Sequence, residues 1–259
     1  MVVDGKRGVI RRSLPAAAVF ALVLGALAFF YPDLRDALGT SPGSPRSGAA
    51  THALYSTAPV PSRCELPGDR DEDIKRTLHA LSRCLDRMWT DTLRTAGHDY
   101  EPPREINLVE TPGDASCGQG DDGWAGIYCP ESRSINVLLD ASWAFSDMFT
   151  LAHEYAHHVQ EISGIADQRG SEIFDEAWSR RLELQADCMA AAAMRDVDAE
   201  ALAMVRAAAG SAGAEDGEWA AHRKTHGSAR NSAAWIGRGE RLGTIGACNT
   251  WAAAEDQVS

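Results

Sequence analysis

The chain has 259 residues, 44% of them hydrophobic and 24% charged, with a net charge of −12. That is enough apolar material for a sizeable core, and enough length for one domain with extras or two small ones. No long basic tract lies outside the N-terminus, which excludes a nucleic-acid-binding face, so no nucleic-acid partner is expected.

At the start of the chain, Lys6, Arg7, Arg11 and Arg12 precede an uncharged run of 18 residues from Leu14 to Tyr31. That length is at the short end for a membrane span and exceeds the roughly 7–15 residues of a signal-peptide core. Phe29-Phe30-Tyr31-Pro32 is too bulky for a small-x-small cleavage site. Residues 1–13 therefore read as a cytoplasmic basic segment and 14–31 as an uncleaved transmembrane anchor; secretion after signal cleavage is the alternative. The basic flank stays in the cytoplasm, which puts everything after the anchor outside. Residues 1–13 carry +3, which leaves −15 for the remainder, a strongly acidic extracytoplasmic domain.

Residues 32–63 read as a flexible linker. Within them "ALGTSPGSPRSGAATHALYSTAPVPSR" is rich in Pro, Gly, Ser and Ala without apolar periodicity, and such a segment buries too little to offset its ordering entropy. The folded domain is then expected over 64–255.

From Asp71 the pattern turns helical, with Ile74, Leu78, Leu81, Leu85 and Met88 on one face and Gly97 at the end. "REINLVE" (104–110) and "RSINVLLD" (133–140) read as strands. A Gly/Asp-rich loop joins them, and their closeness in sequence suggests a small antiparallel sheet. Helices are expected at about 146–163, 174–196, 198–209 and 228–242, with a loop at 211–227. The fold class is α+β: a mostly helical domain with a small antiparallel sheet.

The six cysteines contain no C-x-x-C pair, which favours three disulfides in an oxidising compartment over structural zinc. Sequence alone leaves about 15 connectivities open. The expected scheme pairs Cys117 with Cys129 across a short loop and Cys188 with Cys248, leaving Cys64 to Cys84 by elimination.

The chemistry concentrates in "LAHEYAHHVQ" (151–160), an H-E-x-x-H pattern. On a helix, His153 and His157 project from one face and can share one zinc ion at about 2.0–2.1 Å. Glu154 lies beside the first ligand, placed to take a proton from water. A catalytic zinc needs a third protein ligand, and "RRLELQADCMA" offers Glu183, 26 residues after His157. Asp187 follows one turn later on the same face, able to accept from a ligand histidine and fix its tautomer. His158 points roughly 100° away from His157 and reads as outside the metal site. His226, in "THGSAR", is a candidate to stabilise the oxyanion of peptide hydrolysis, with helix capping near Ser228 as the other reading.

"LAHEYAHHVQ" followed by "ELQADCMA" resembles the neutral zinc metallopeptidases of many bacteria, within the glutamate-zincin group. "CGQGDDGWAGIYCP" (117–130), "SINVLLD" and "HGSARNSAAWIGRGERLGTIGACNTW" (226–251) fit the same pattern. The resemblance covers about Cys117 to Trp251, and an N-terminal anchor and tether are usual there. It implies Zn2+ on His153, His157 and Glu183, with Glu154 as general base and a peptide or protein as substrate. One departure is Ala156, where the family usually has glycine before the second ligand histidine. The expectation is a membrane-anchored extracytoplasmic zinc metalloprotease. Its rivals are a zinc-dependent cell-wall amide hydrolase with the same ligands and a non-catalytic metal-binding scaffold.

Overall fold

The computed structural model describes residues 50–68, 73–119, 123–139, 144–165, 176–211 and 224–259, all within the unit Pro45–Ser259. The expected cytoplasmic segment, the anchor at 14–31 and the linker up to residue 49 lie outside the described residues. Among the described residues no helix is long and apolar enough to cross a membrane.

Helix α1 (Ile74–Thr95) starts where the Asp73 side chain accepts from the Arg76 amide, as N-cap aspartates do. Its apolar stripe buries Leu78, Leu81, Leu85, Met88 and Trp89. Three short strands follow: β1 (Glu105–Val109), β2 (Gly126–Cys129) and β3 (Ser134–Leu138). Among the described residues four further helices follow: α2 (Ala144–Ile162), α3 (Glu176–Met194), α4 (Ala199–Ser211) and α5 (Ala229–Leu242).

The sheet corrects the antiparallel expectation. Its order is β1-β3-β2, with β1 and β3 parallel and β2 and β3 antiparallel. The Gly/Asp-rich stretch between the two expected strands contains a third strand, β2, which turns back as a hairpin onto β3. With the hairpin in place, β3 runs in the same direction as β1. Four residues opening on glycine carry no alternation that a strand pattern would register. On β3, Ile135 and Val137 enter the core. Strand alternation turns Ser134 and Asn136 to the other face, where both stay buried by bonding Ser116 of the preceding loop.

A second correction concerns the linker. Residues 50–63 do not hang free: Leu54, Val60 and Ser62 are buried, and Ala53–Ser56 forms a 3-10 turn. Val60 N donates to Gly243 O at 2.8 Å and Asn249 Nδ2 to Ala50 O at 2.8 Å. Well-separated apolar residues in a Pro/Ser/Ala-rich segment give no periodicity to read, yet each fills its own hole in the core. The described residues 50–63 thus pack as part of the folded domain, ahead of Cys64.

Helix α3 is the axis of the helical layer. Ala190 to Ala193 are fully buried, because helices lie against it on more than one side; this accounts for the lack of a clean polar face. α5 packs on α3 so closely that a Cβ at Gly239 would collide with the Cys188 carbonyl oxygen, so only glycine fits there. Ala156, in place of the resembling family's glycine, is fully buried on α2.

The structure joins Cys64–Cys84, Cys117–Cys129 and Cys188–Cys248. The last spans 60 residues and ties α3 to the turn after α5. Replacing both Cys188 and Cys248 by alanine is expected to cost up to about 4 kcal/mol by the loop-entropy rule. Urea unfolding of the oxidised wild type and the double variant measures this; equal midpoints would count against it.

Candidate metal centre

α2 places His153 and His157 one turn apart, facing Glu183 on α3. His153 Nε2 and His157 Nε2 are 3.0 Å apart, and each lies 3.2 Å from Glu183 Oε2. Among the described residues these three form the one group of His, Cys, Asp and Glu side chains close enough to hold a metal ion. Ligand atoms arranged tetrahedrally around one zinc at about 2.0–2.1 Å would be about 3.3–3.4 Å apart, so the donor set fits that ion.

Both imidazoles are braced from behind. His153 Nδ1 lies 3.0 Å from Asp187 Oδ1, whose other oxygen accepts from Ser232 Oγ of α5 at 2.7 Å. His157 Nδ1 lies 2.8 Å from Gln160 Oε1. With Nδ1 held by an acceptor, each ring turns Nε2 toward Glu183, the arrangement metal-binding histidines use.

The electrostatics call for a cation. Burial opposes a charged Glu183, but His157 and His153 outweigh it and hold its pKa well below the usual carboxylate range. Burial likewise opposes protonated His153, yet Asp187 and Glu183 hold its pKa well above the ordinary imidazole value. A proton or a divalent cation therefore belongs among these three groups, and a metal that binds must displace protons.

Glu154 is 5% exposed and its carboxylate lies against β2. Burial raises its pKa, while the two imidazoles and the Tyr128 backbone amide pull the other way. The fit depends on Gly126. A Cβ there would lie 2.8 Å from Glu154 Oε1 and closer still to Thr150 Cγ2. The cleft has a volume of about 260 Å³ and is lined by Gly126, Ile127, Tyr128, Leu182, Glu161 and His226 besides the metal-facing groups.

The family model described as "Putative neutral zinc metallopeptidase" matches residues 5–251. The chain belongs to this family. Among similar proteins, the uncharacterised protein YpfJ of Escherichia coli is 25% identical over 211 residues, 71% of this chain and 73% of that one. The uncharacterised protein Rv2575 of Mycobacterium tuberculosis is 24% identical over 254 residues, 84% of this chain and 85% of that one. No solved structure matches the chain.

Two further histidines of this metallopeptidase-family chain take different places. His226 reaches the cleft mouth, with Nε2 at 3.3 Å from Glu183 Oε2 and Nδ1 at 2.8 Å from Thr225 Oγ1. Ser228, two residues on, caps α5, so the cap falls to the serine. His158 is fully buried away from the cleft. Its Nε2–H donates to the Glu101 carbonyl at 2.7 Å, and Nδ1 accepts from the Tyr128 hydroxyl at 3.1 Å. Burial lowers its pKa, so a neutral ring fastens β2 to α2.

Gln160, Ser232 and Gly126 escaped the sequence reading. Gln160 carried a signal, sitting three residues after His157 on the same helical face. Ser232 and Gly126 carried none.

Asp187→Asn retains an acceptor for His153 but removes its charge. Zinc affinity should fall by about tenfold, the low end of the roughly 10–100-fold such partners contribute. Competition with a chromophoric chelator measures it, and unchanged affinity would separate Asp187 from the site.

Proposed function

We propose that the protein is a membrane-anchored, extracytoplasmic zinc metallopeptidase that hydrolyses peptide bonds. The observation that carries this reading is the convergence of His153 Nε2, His157 Nε2 and Glu183 Oε2 with the buried Glu154 carboxylate beside them. Zinc bound by these three residues would supply Lewis acidity, polarising a carbonyl and lowering the pKa of water there toward about 7.

The remaining roles fall to the protein. Glu154 takes the proton of the attacking water and returns it to the leaving amine nitrogen. His226, at the cleft mouth, donates from Nε2 to the oxyanion that develops on the former carbonyl oxygen. Among the described residues β2 is an edge strand, and its Gly126, Ile127 and Tyr128 line the cleft, so a substrate segment adds to the sheet in extended form. The uncharged run at 14–31 behind four basic residues supports the anchor and the outward-facing domain.

The test uses the full chain purified in mild detergent and assayed on unstructured peptides and on peptidoglycan fragments. Peptide hydrolysis that stops with 1,10-phenanthroline and returns with zinc is the expected result. Cleavage confined to cell-wall amides would move the substrate class, and metal binding without hydrolysis would leave a scaffold.

A further inference from the structure

Gln160, Gln185 and Tyr55 are not metal ligands and do not reach the reacting atoms, yet they form one continuous hydrogen-bonded chain ending on His157. Two backbone carbonyls fix its polarity. The Leu182 carbonyl can only accept, so the group Gln160 points at it, at 2.9 Å, is the amide NH2. Gln160 Oε1 is thereby left facing His157 Nδ1 at 2.8 Å, which must donate. A neutral His157 then carries its proton on Nδ1 and its lone pair on Nε2, facing Glu183.

The same logic runs one step further. The Cys248 carbonyl, held beside α3 by the Cys188–Cys248 disulfide, accepts from Gln185 Nε2 at 3.1 Å. Gln185 Oε1 must therefore accept from Gln160 Nε2, 3.1 Å away. The remaining hydrogen of Gln185 Nε2 goes to the Tyr55 hydroxyl oxygen at 2.8 Å. Both glutamines are fully buried, where an unsatisfied amide is costly. Each link is therefore held in place by the next.

Tyr55 belongs to the segment 50–66 that enters the domain ahead of α1. This segment is pinned at several points: His52 Nε2 lies 3.0 Å from the Ser163 carbonyl at the end of α2, and Cys64 is bonded to Cys84 of α1.

We propose that Tyr55, Gln185 and Gln160 are positioning residues forming a relay that holds the Gln160 amide in place against His157 Nδ1, so that metal affinity depends on docking of segment 50–66. The proposal rests on the reading of His157 as a metal ligand. Its consequence is that the site is complete only when the entering segment is seated.

The experiment is a thermodynamic cycle on zinc affinity, measured by chelator competition on the full chain, with thermal unfolding of the metal-free forms in parallel. Gln160→Met is expected to weaken zinc binding by about 10–100-fold. Tyr55→Phe removes one distant hydroxyl and should weaken it by about fivefold, the equivalent of one ordinary hydrogen bond. The decisive term is coupling: in the Gln160→Met background Tyr55→Phe should have no further effect on zinc affinity, because the relay is already cut. A structural role would lower the unfolding midpoint in both backgrounds and leave zinc affinity unmoved. Strictly additive losses, or unchanged affinity in Tyr55→Phe, would overturn the relay while leaving the metal site intact. A wild type that binds no zinc would overturn the ligand reading and the relay with it.

Discussion

Glu154→Gln should bind zinc as tightly as wild type and hydrolyse peptides at least about 10²-fold more slowly, with losses up to about 10⁴-fold in kcat. The amide is nearly the same size as the carboxylate and meets the same wall, Gly126 of β2, so the structure around it is retained. It cannot accept the water's proton in a form that is later passed to the leaving amine. None of the three metal-facing atoms belongs to Glu154, so zinc content and activity should separate cleanly. Metal analysis and single-turnover kinetics on one peptide make the comparison. A variant that keeps wild-type turnover would remove Glu154 from the reaction; one that loses zinc together with activity would make it part of the metal site instead.

The second large effect belongs to Glu183→Gln. Glu183 contributes the one carboxylate among the metal-facing atoms and lies within 3.3 Å of three histidine Nε2 atoms. A neutral amide there removes the charge that balances the cation and leaves the histidine lone pairs facing a weaker donor. Zinc affinity should fall by more than the roughly 100-fold that bounds the loss of an outer hydrogen-bond partner, exceeding the effect of Asp187→Asn. Activity assayed at substoichiometric zinc should vanish first. Equal zinc affinity in wild type and Glu183→Gln would take Glu183 out of the ligand set.

The parts of the site that could be read in the sequence are those set by helical periodicity. His153 and His157 four apart, and Glu183 and Asp187 four apart, report their common faces directly, and the structure brings all four together. The parts that escaped depend on tertiary contacts. Gln160 is an ordinary amide until the Leu182 carbonyl fixes which end faces His157. Ser232 meets Asp187 only because Gly239 lets α5 lie against α3. β2 is four residues long and opens on glycine, so the mixed sheet order had no alternating signal to announce it. Residues 50–63 have linker composition, and their order comes from single side chains such as Leu54 and Val60 entering a core built elsewhere. Composition measures average burial, and a segment held at a few points falls below what it can detect.

Everything proposed for the site turns on whether His153, His157 and Glu183 together hold a zinc ion. Anomalous diffraction from crystals of the zinc-loaded protein, collected on both sides of the zinc absorption edge, tests it most directly. A single strong peak is expected between His153 Nε2, His157 Nε2 and Glu183 Oε2, at one ion per chain. A peak at other residues, or a hydrolytically active protein with no zinc between these three side chains, would contradict it.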